Sequence, residues 1–247
     1  VEPAELEKIA GTPHHGGVVA VVTPPQMREP GAEELRAWAK QREGVLVLDR
    51  VGNVHNLGAI ARTAAFFGVG RLVICGREGA ARPVDAAYRV AEGGLEGVEL
   101  HASADAIALV RALVAAGYEV VGAATRGGRP ELSRSSARPL ALVLGNEEHG
   151  LDPAVAAACS RLVTLPGAGR VESLNVSVCA GILLHALRNQ WLAKRPDVAI
   201  TASEQQLLVE HWLARSCQNA RQIIERENSR LVPWFEFVRG GRFYQPF

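Results

Sequence analysis

Short apolar runs alternate with amphipathic stretches along most of this chain. Val45-Leu46-Val47-Leu48 contains no polar residue, the pattern of a strand covered on both faces. Leu140–Leu144 repeats it, and Arg71–Cys75, Val98–Leu100, Tyr118–Ala123 and Leu162–Leu165 read as strands with one polar residue each. The spacing between them predicts helices over 56–67, stopped by Gly68, then around 84–91, from Ala104 to Ala116 and from Pro153 to Ala158. Upstream, residues 1–12 predict a short helix, His14–Val22 a strand ending at Pro24-Pro25, and Glu33–Arg42 a helix closed by Gly44. The stretch from Ser173 to Trp191 is apolar almost all round (Val176, Val178, Ile182, Leu183, Leu184, Leu187), which predicts a helix that is buried or shared with a second copy. Asp197–Ala202 breaks the pattern, and Ser203–Glu227 reads as one long helix, polar on one side. Strands alternating with helices predict an α/β domain with a mostly parallel sheet and helices on both faces.

Composition sharpens this only a little. With 48% hydrophobic and 21% charged residues, the chain is outside the disordered class. Its 247 residues suit one large domain with appendages: a linker or remnant of an N-terminal extension over 1–30, the α/β domain over 31–195, and a helical extension over 196–247. The chain opens at Val1 rather than Met, which suggests that a natural N-terminal part precedes it. A formal charge of +1 does not announce a nucleic-acid binder. Arg126, Arg129, Arg134 and Arg138 nevertheless cluster, with Arg161 and Arg170 further on. Such a cluster is either a solvated loop or a surface for RNA phosphates. Cys75, Cys159, Cys179 and Cys217 lie far apart with no CxxC or Cys/His spacing, so no metal site and no disulfide framework is expected, only reduced thiols in a cytoplasmic protein. No apolar run is long enough for a membrane span.

The candidate chemistry lies in loops. Asn53–Arg62, Leu144–Leu151 and Leu165–Ser177 each follow a strand-like run, carry polar residues and contain glycine. Singly, each has a plain explanation. Asn53 or Asn56 serves as a helix cap, Arg62 as a snorkelling or ion-paired side chain, Gly145–Gly150 as a turn with Glu147 and Glu148 exposed, and Ser173 as another cap. Together they suggest one composite site, because ligands of open α/β sheets bind at the loops leaving the strand C-termini. Glu147 follows a strand and a Gly-Asn turn, where an acid can pair with Arg62. Ser173 and Asn175 open a helix whose free N–H groups favour an anionic or electron-rich ligand. Leu144, Leu165 and Leu174, beside flexible glycines, can hold an adenine ring. There is no GxGxxG after the first strand and no Walker A sequence.

In order and spacing, the runs Asn56–Ala64, Leu144–Glu147 with Gly150-Leu151, and Ser173–Val178 resemble the three motifs of the SpoU (TrmH-like) RNA 2′-O-ribose methyltransferases of the SPOUT class. The resemblance covers about residues 14–192. It implies a sheet whose C-terminal segment threads a loop to form a trefoil knot, an S-adenosylmethionine site made by that knot, and a homodimer that completes the active site. By the resemblance, the cofactor contacts fall on Gly145, Leu165 and Leu174, with Gly122, Ala123, Ala124 and Leu144 beside them, and the catalytic positions on Arg62, Asn56, Glu147, Ser173 and Asn175. The implied substrate is a ribose 2′-OH of tRNA or rRNA, with no metal and no membrane. A guanidinium loses its proton only above a pKa of about 12. The role expected for Arg62 is therefore to position a phosphate and stabilise developing alkoxide charge, with Glu147 holding it in place. The rival expectation is a catalytically silent knotted dimer that only binds RNA.

Overall fold

The computed structural model describes residues 2–13, 17, 19, 21, 25–76, 79–129, 138–192 and 206. Chain contacts divide it into two units, Val1–Trp191 and Leu192–Phe247, and the description below concerns the first. The strand expected at His14–Val22 and the helix expected at Ser203–Glu227 fall largely outside the described residues, as do Arg134 and Cys217.

Six strands form the sheet: β1 (Val45–Asp49), β2 (Arg71–Cys75), β3 (Glu99–Ser103), β4 (Glu119–Ala123), β5 (Leu140–Leu144) and β6 (Arg161–Val163). They are ordered β3-β2-β1-β5-β4-β6, and every pairing is parallel. The chain builds outward from β1 to β3, then crosses back to build the other half, so the order reverses between β1 and β5. That reversal is the topological switch point at which open α/β sheets place ligands. The register pairs Leu48 with Leu144, so the loops after β1 and β5 leave the sheet side by side.

Why β5, and β1 up to Leu48, lack polar positions is plain from their faces. Leu46, Leu48, Leu142 and Leu144 pack into one core with Leu57 and Ile60 of α3 (Val54–Phe66), Ala87 of α4 (Asp85–Ala91) and Leu183 and Leu184 of α7 (Val176–Leu192). Val45, Val47, Ala141 and Val143 point the other way, into a core with Leu35 and Trp38 of α2 (Ala32–Lys40), Leu113 of α5 (Ala106–Ala115) and Val155 of α6 (Pro153–Ala158). Strand side chains alternate between faces, and each fully buried Val or Leu contributes roughly 1.5–3 kcal/mol. A further short helix, α1, spans Pro3–Ala10.

Several boundaries differ from the sequence pattern, each for a local reason. The helix α3 starts at Val54 because the Asn53 side chain accepts from the His55 and Asn56 N–H groups at 2.8 and 3.4 Å. β3 runs on to Ser103 because it pairs along its whole length with β2. Gly44 does not close α2: the helix ends at Lys40 with Gln41 as its cap, and the left-handed turn falls on Arg42 (φ 59), letting the Glu43 N–H reach the Trp38 carbonyl at 2.9 Å. Strand β6 stops at Val163, which leaves Leu165 in a loop. The last helix starts at Val176, not Ser173, since Asn175 Oδ1 accepts from the Ser177 N–H at 2.8 Å and caps it. Residues 164–175 form neither helix nor strand. α7 is also not buried all round: Leu183, Leu184 and Leu187 are, but Val178 and Ile182 are 50% and 41% exposed.

Candidate functional site

The loop after β5 is built on close backbone approach. Asn146 and Gly150 exchange backbone hydrogen bonds at 3.0 and 2.9 Å. A Cβ on Gly145 would lie 2.2 Å from the Gly150 carbonyl carbon, and Gly150 itself has φ +70, so both positions require glycine. Inside this turn Asn146 Oδ1 accepts from the Glu148 and His149 N–H groups, each at 3.0 Å, while its Nδ2 donates to the Arg50 carbonyl at 2.8 Å. The loops after β5 and β1 are thereby joined. Below them Asp49, only 2% exposed, accepts from the Arg50 guanidinium at 3.2 and 3.3 Å and from the Asp152 N–H at 3.2 Å.

Glu147 completes the joint. Its carboxylate accepts from the Gly52 and Asn53 N–H groups at 3.0 and 3.1 Å and from Asn56 Nδ2 at 2.9 Å. Asn56, 8% exposed, turns its Oδ1 to Asn175 Nδ2 at 3.1 Å. A continuous chain, Glu147–Asn56–Asn175, therefore ties together the three polar segments picked out in the sequence. Burial pushes the Glu147 pKa up, but the donors from Asn56, Gly52, its own N–H and Asn53 outweigh this and hold it below the usual carboxylate range.

Arg62 is not part of this chain, contrary to the expectation that Glu147 holds it. Its Nη2 lies 2.9 Å from Glu92 Oε2. The reason is distance along the helix. Glu147 binds the N-terminal end of α3, and Arg62 sits about 9 Å beyond Asn56 at 1.5 Å per residue.

A cleft of about 680 Å³ opens where the loops meet, a volume usual for a small-molecule site. Ala123, Ala124, Leu144, Gly145, Glu147, Leu165, Ser173, Leu174 and Asn175 all line it. Asn56, Arg62 and Gly122 are not among the lining residues. Gly122 is buried beneath, where a Cβ would lie 2.8 to 3.0 Å from Leu162, Leu151 and Cys159, so its small size serves packing. Sequence reasoning missed Thr125, Glu172 and Cys179, which also line the cleft. Cys179 was within reach of it, being one helical turn past Asn175 on the same face. The segment after β4 runs beside the chain leaving β6: the Gly128 N–H donates to Thr164 Oγ1 at 2.9 Å, the Thr164 N–H to the Arg129 carbonyl at 3.2 Å, and Arg126 pairs with Glu172 at 2.6 Å.

Two features lie apart from the cleft. Glu34, Glu99 and His101 present ligand atoms within 4.8 Å of one another, but guanidinium groups already neutralise both carboxylates, Arg28 on Glu34 and Arg71 on Glu99. Burial pushes the thiols of Cys75 and Cys159 up to about 12 and about 11, so both stay protonated at neutral pH. Among the described residues no helix is long and apolar enough to cross a membrane.

Fold and site together define a parallel α/β protein with a small-molecule cleft at the C-terminal ends of β4, β5 and β6, closed by glycine-shaped loops instead of a dinucleotide fingerprint. The SpoU rRNA Methylase family matches residues 43–185, and the chain belongs to that family. It is 38% identical over 183 residues to the 23S rRNA (guanosine-2′-O-)-methyltransferase RlmB of Nitrosomonas europaea, covering 74% of this chain and 70% of that protein. It is 35% identical over 187 residues to the uncharacterized tRNA/rRNA methyltransferase YfiF of Escherichia coli O157:H7, covering 74% of this chain and 52% of that protein. The chain thus spans about half the length of the second relative. Among solved structures, the AdoMet bound rRNA methyltransferase from Sinorhizobium meliloti superposes with a TM-score of 0.57 at 29% identity, covering 66% of this chain and 61% of that one.

Proposed function

We propose that this protein is an S-adenosylmethionine-dependent RNA methyltransferase acting on a ribose 2′-OH of tRNA or rRNA. One observation carries the reading: residues of the second and third family motifs line one cleft, and the hydrogen-bonded chain Glu147–Asn56–Asn175 ties the first motif to them. The cleft fits the cofactor. Leu174 is 52% exposed at its wall, an apolar surface suited to an adenine ring, and Leu144 and Leu165 line the same space beside the tight Gly145 backbone. Ala123 and Ala124 close it from β4. When bound there, S-adenosylmethionine supplies a methyl group made electrophilic by its sulfonium.

The protein's own task is alignment and charge. Ser173 and Asn175 orient the ribose and the cofactor's polar end, while Asn56 and Glu147 hold the loops in register. Arg62 positions the RNA phosphate and stabilises the alkoxide as the 2′-OH loses its proton.

A homodimer belongs to the reading. Arg62 is absent from the lining of its own cleft, while Phe66, Val178 and Ile182 leave apolar surface 76%, 50% and 41% exposed on α3 and α7. A second copy seated there would cover that surface and bring Arg62 to the neighbouring cleft. The trefoil knot belongs to it as well, supported by the pairing of residues 128–129 with the chain that leaves β6 for α7. We further assign residues 1–30 as a linker, 31–195 as the methyltransferase domain, 196–247 as a helical extension, and the cytoplasm as the site of action.

The test combines calorimetry with S-adenosylmethionine and transfer of labelled methyl groups to total RNA from a strain lacking the protein. Cofactor binding and 2′-O-methylation are expected, with turnover falling about 10²–10³-fold in Arg62→Ala, the loss typical of removing one group that stabilises transition-state charge. A silent RNA-binding dimer would give no heat with the cofactor, and near-normal turnover in Arg62→Ala would remove Arg62 from the mechanism.

A further inference from the structure

The Arg62 guanidinium meets an acid outside the three motifs. Glu92, directly after α4, places Oε2 2.9 Å from Arg62 Nη2. The side chains are 55% and 64% exposed, and an ion pair so open to water adds little to stability. Its construction is nevertheless costly in local conformation. The Glu92 backbone is left-handed (φ 42), which side chains other than glycine seldom adopt, and its N–H closes α4 on the Tyr88 carbonyl at 3.1 Å. Gly93 follows at φ 90. Gly94 then presses on the arginine itself: a Cβ there would lie 2.4 Å from Arg62 Cα and 2.6 Å from Arg62 N. At Gly97 a Cβ would come within 3.2 Å of Ala65 Cβ, and at Gly58, on the same helix pair, within 2.3 Å of the Ala87 carbonyl oxygen. The turn after α4 is therefore moulded to the backbone of α3 around Arg62, and the spacing between the two side chains is set by rigid neighbours.

Neither α3 itself nor Glu147 offers Arg62 a partner. The positions one turn away on α3 are Gly58, Ala59, Ala65 and Phe66, none charged. Glu147 is occupied by donors at the start of the helix.

We propose that Glu92 is a positioning residue for methyl transfer, aiming the Arg62 guanidinium before RNA arrives. The inference rests on the role given to Arg62 above. A guanidinium has five N–H donors in a fixed plane, so one face tied to Glu92 leaves the rest directed at the incoming phosphate and ribose oxygen. The same carboxylate opposes the phosphate electrostatically in ground and transition state alike, so it weakens RNA binding, while its effect on kcat comes from the orientation it gives the guanidinium.

Glu92→Gln, which keeps the shape and removes the charge, is the test. It is compared with the unaltered protein and with Arg62→Ala for kcat and RNA KM on total RNA from a strain lacking the protein, and for thermal midpoint. The expected result is a kcat lower by about tenfold, within the range that small misplacements produce, with RNA KM lowered or equal and the midpoint unchanged. An unchanged kcat, a raised RNA KM or a lowered midpoint overturns the proposal. If Glu92→Gln is inert while Arg62→Ala abolishes turnover, Glu92 is only a surface partner and the functional reading stands. If Arg62→Ala keeps turnover, or the unaltered protein transfers nothing, the reading fails and this inference with it.

Discussion

Asn56 uses both ends of one amide, donating to Glu147 and accepting from Asn175. Only a side chain with a donor and an acceptor a fixed distance apart does this, so neither Asp nor Ser replaces it. The carboxylate it faces has a consequence with pH. Hydrogen bonds hold the Glu147 pKa below its ordinary value, so its contribution to stability is fully present above the unfolded pKa of about 4.3 and is lost as pH falls through the lower folded value. Urea unfolding between about pH 3 and 7 should therefore show Glu147→Gln less stable than the unaltered protein by about 1 kcal/mol at neutral pH, a modest value for a partly exposed charged acceptor. The gap should close towards pH 3. A gap independent of pH would mean that the charge on Glu147 does not matter to the joint.

At the scale of elements, the cleft is a product of turns shaped around missing side chains. Gly145→Ala would drive a methyl group to 2.2 Å from the Gly150 carbonyl carbon, backbone against backbone, which no rotamer change relieves. The expected cost is about 1–3 kcal/mol in stability, as for other forced overpacking. Calorimetry should show at least a tenfold loss of S-adenosylmethionine affinity, and full affinity in this variant would place the cofactor elsewhere. The neighbouring helix starts follow the same local logic. Asn53, Asp105 and Asp152 each accept from the first free N–H groups of α3, α5 and α6, and Asn175 does so for α7 while also reaching Asn56.

For the whole molecule, the proposed assembly of two copies rests on the exposed apolar residues of α3 and α7 and on the position of Arg62 outside its own cleft. Ile182→Asp would set a charge in the middle of that surface. Sedimentation velocity should then show a monomer at concentrations where the unaltered protein is dimeric, with the dissociation constant raised by a hundredfold or more, about the loss when a central interface side chain is replaced. Methyl transfer should fall with it. An unaltered protein that sediments as a monomer would remove the dimer from the mechanism.

What the sequence determined by itself is local: which runs are strands buried on both faces, which turns need glycine, and which three segments carry polar residues a core does not use. An unbroken apolar run suffices for β5 and for β1 as far as Leu48, because both faces of each strand are covered and only Asp49, at the end of β1, is polar. It placed the start of α7 at Ser173 because an apolar stretch does not reveal which polar residue caps it, and side-chain geometry chose Asn175. The partners were decided only by tertiary structure. Glu147 meets Asn56 and not Arg62 because β5 lies against β1, and Arg62 meets Glu92 because α4 packs on α3 through glycine. Pairings that span tens of residues depend on strand order and helix contact, and neither is written in the spacing of any single segment.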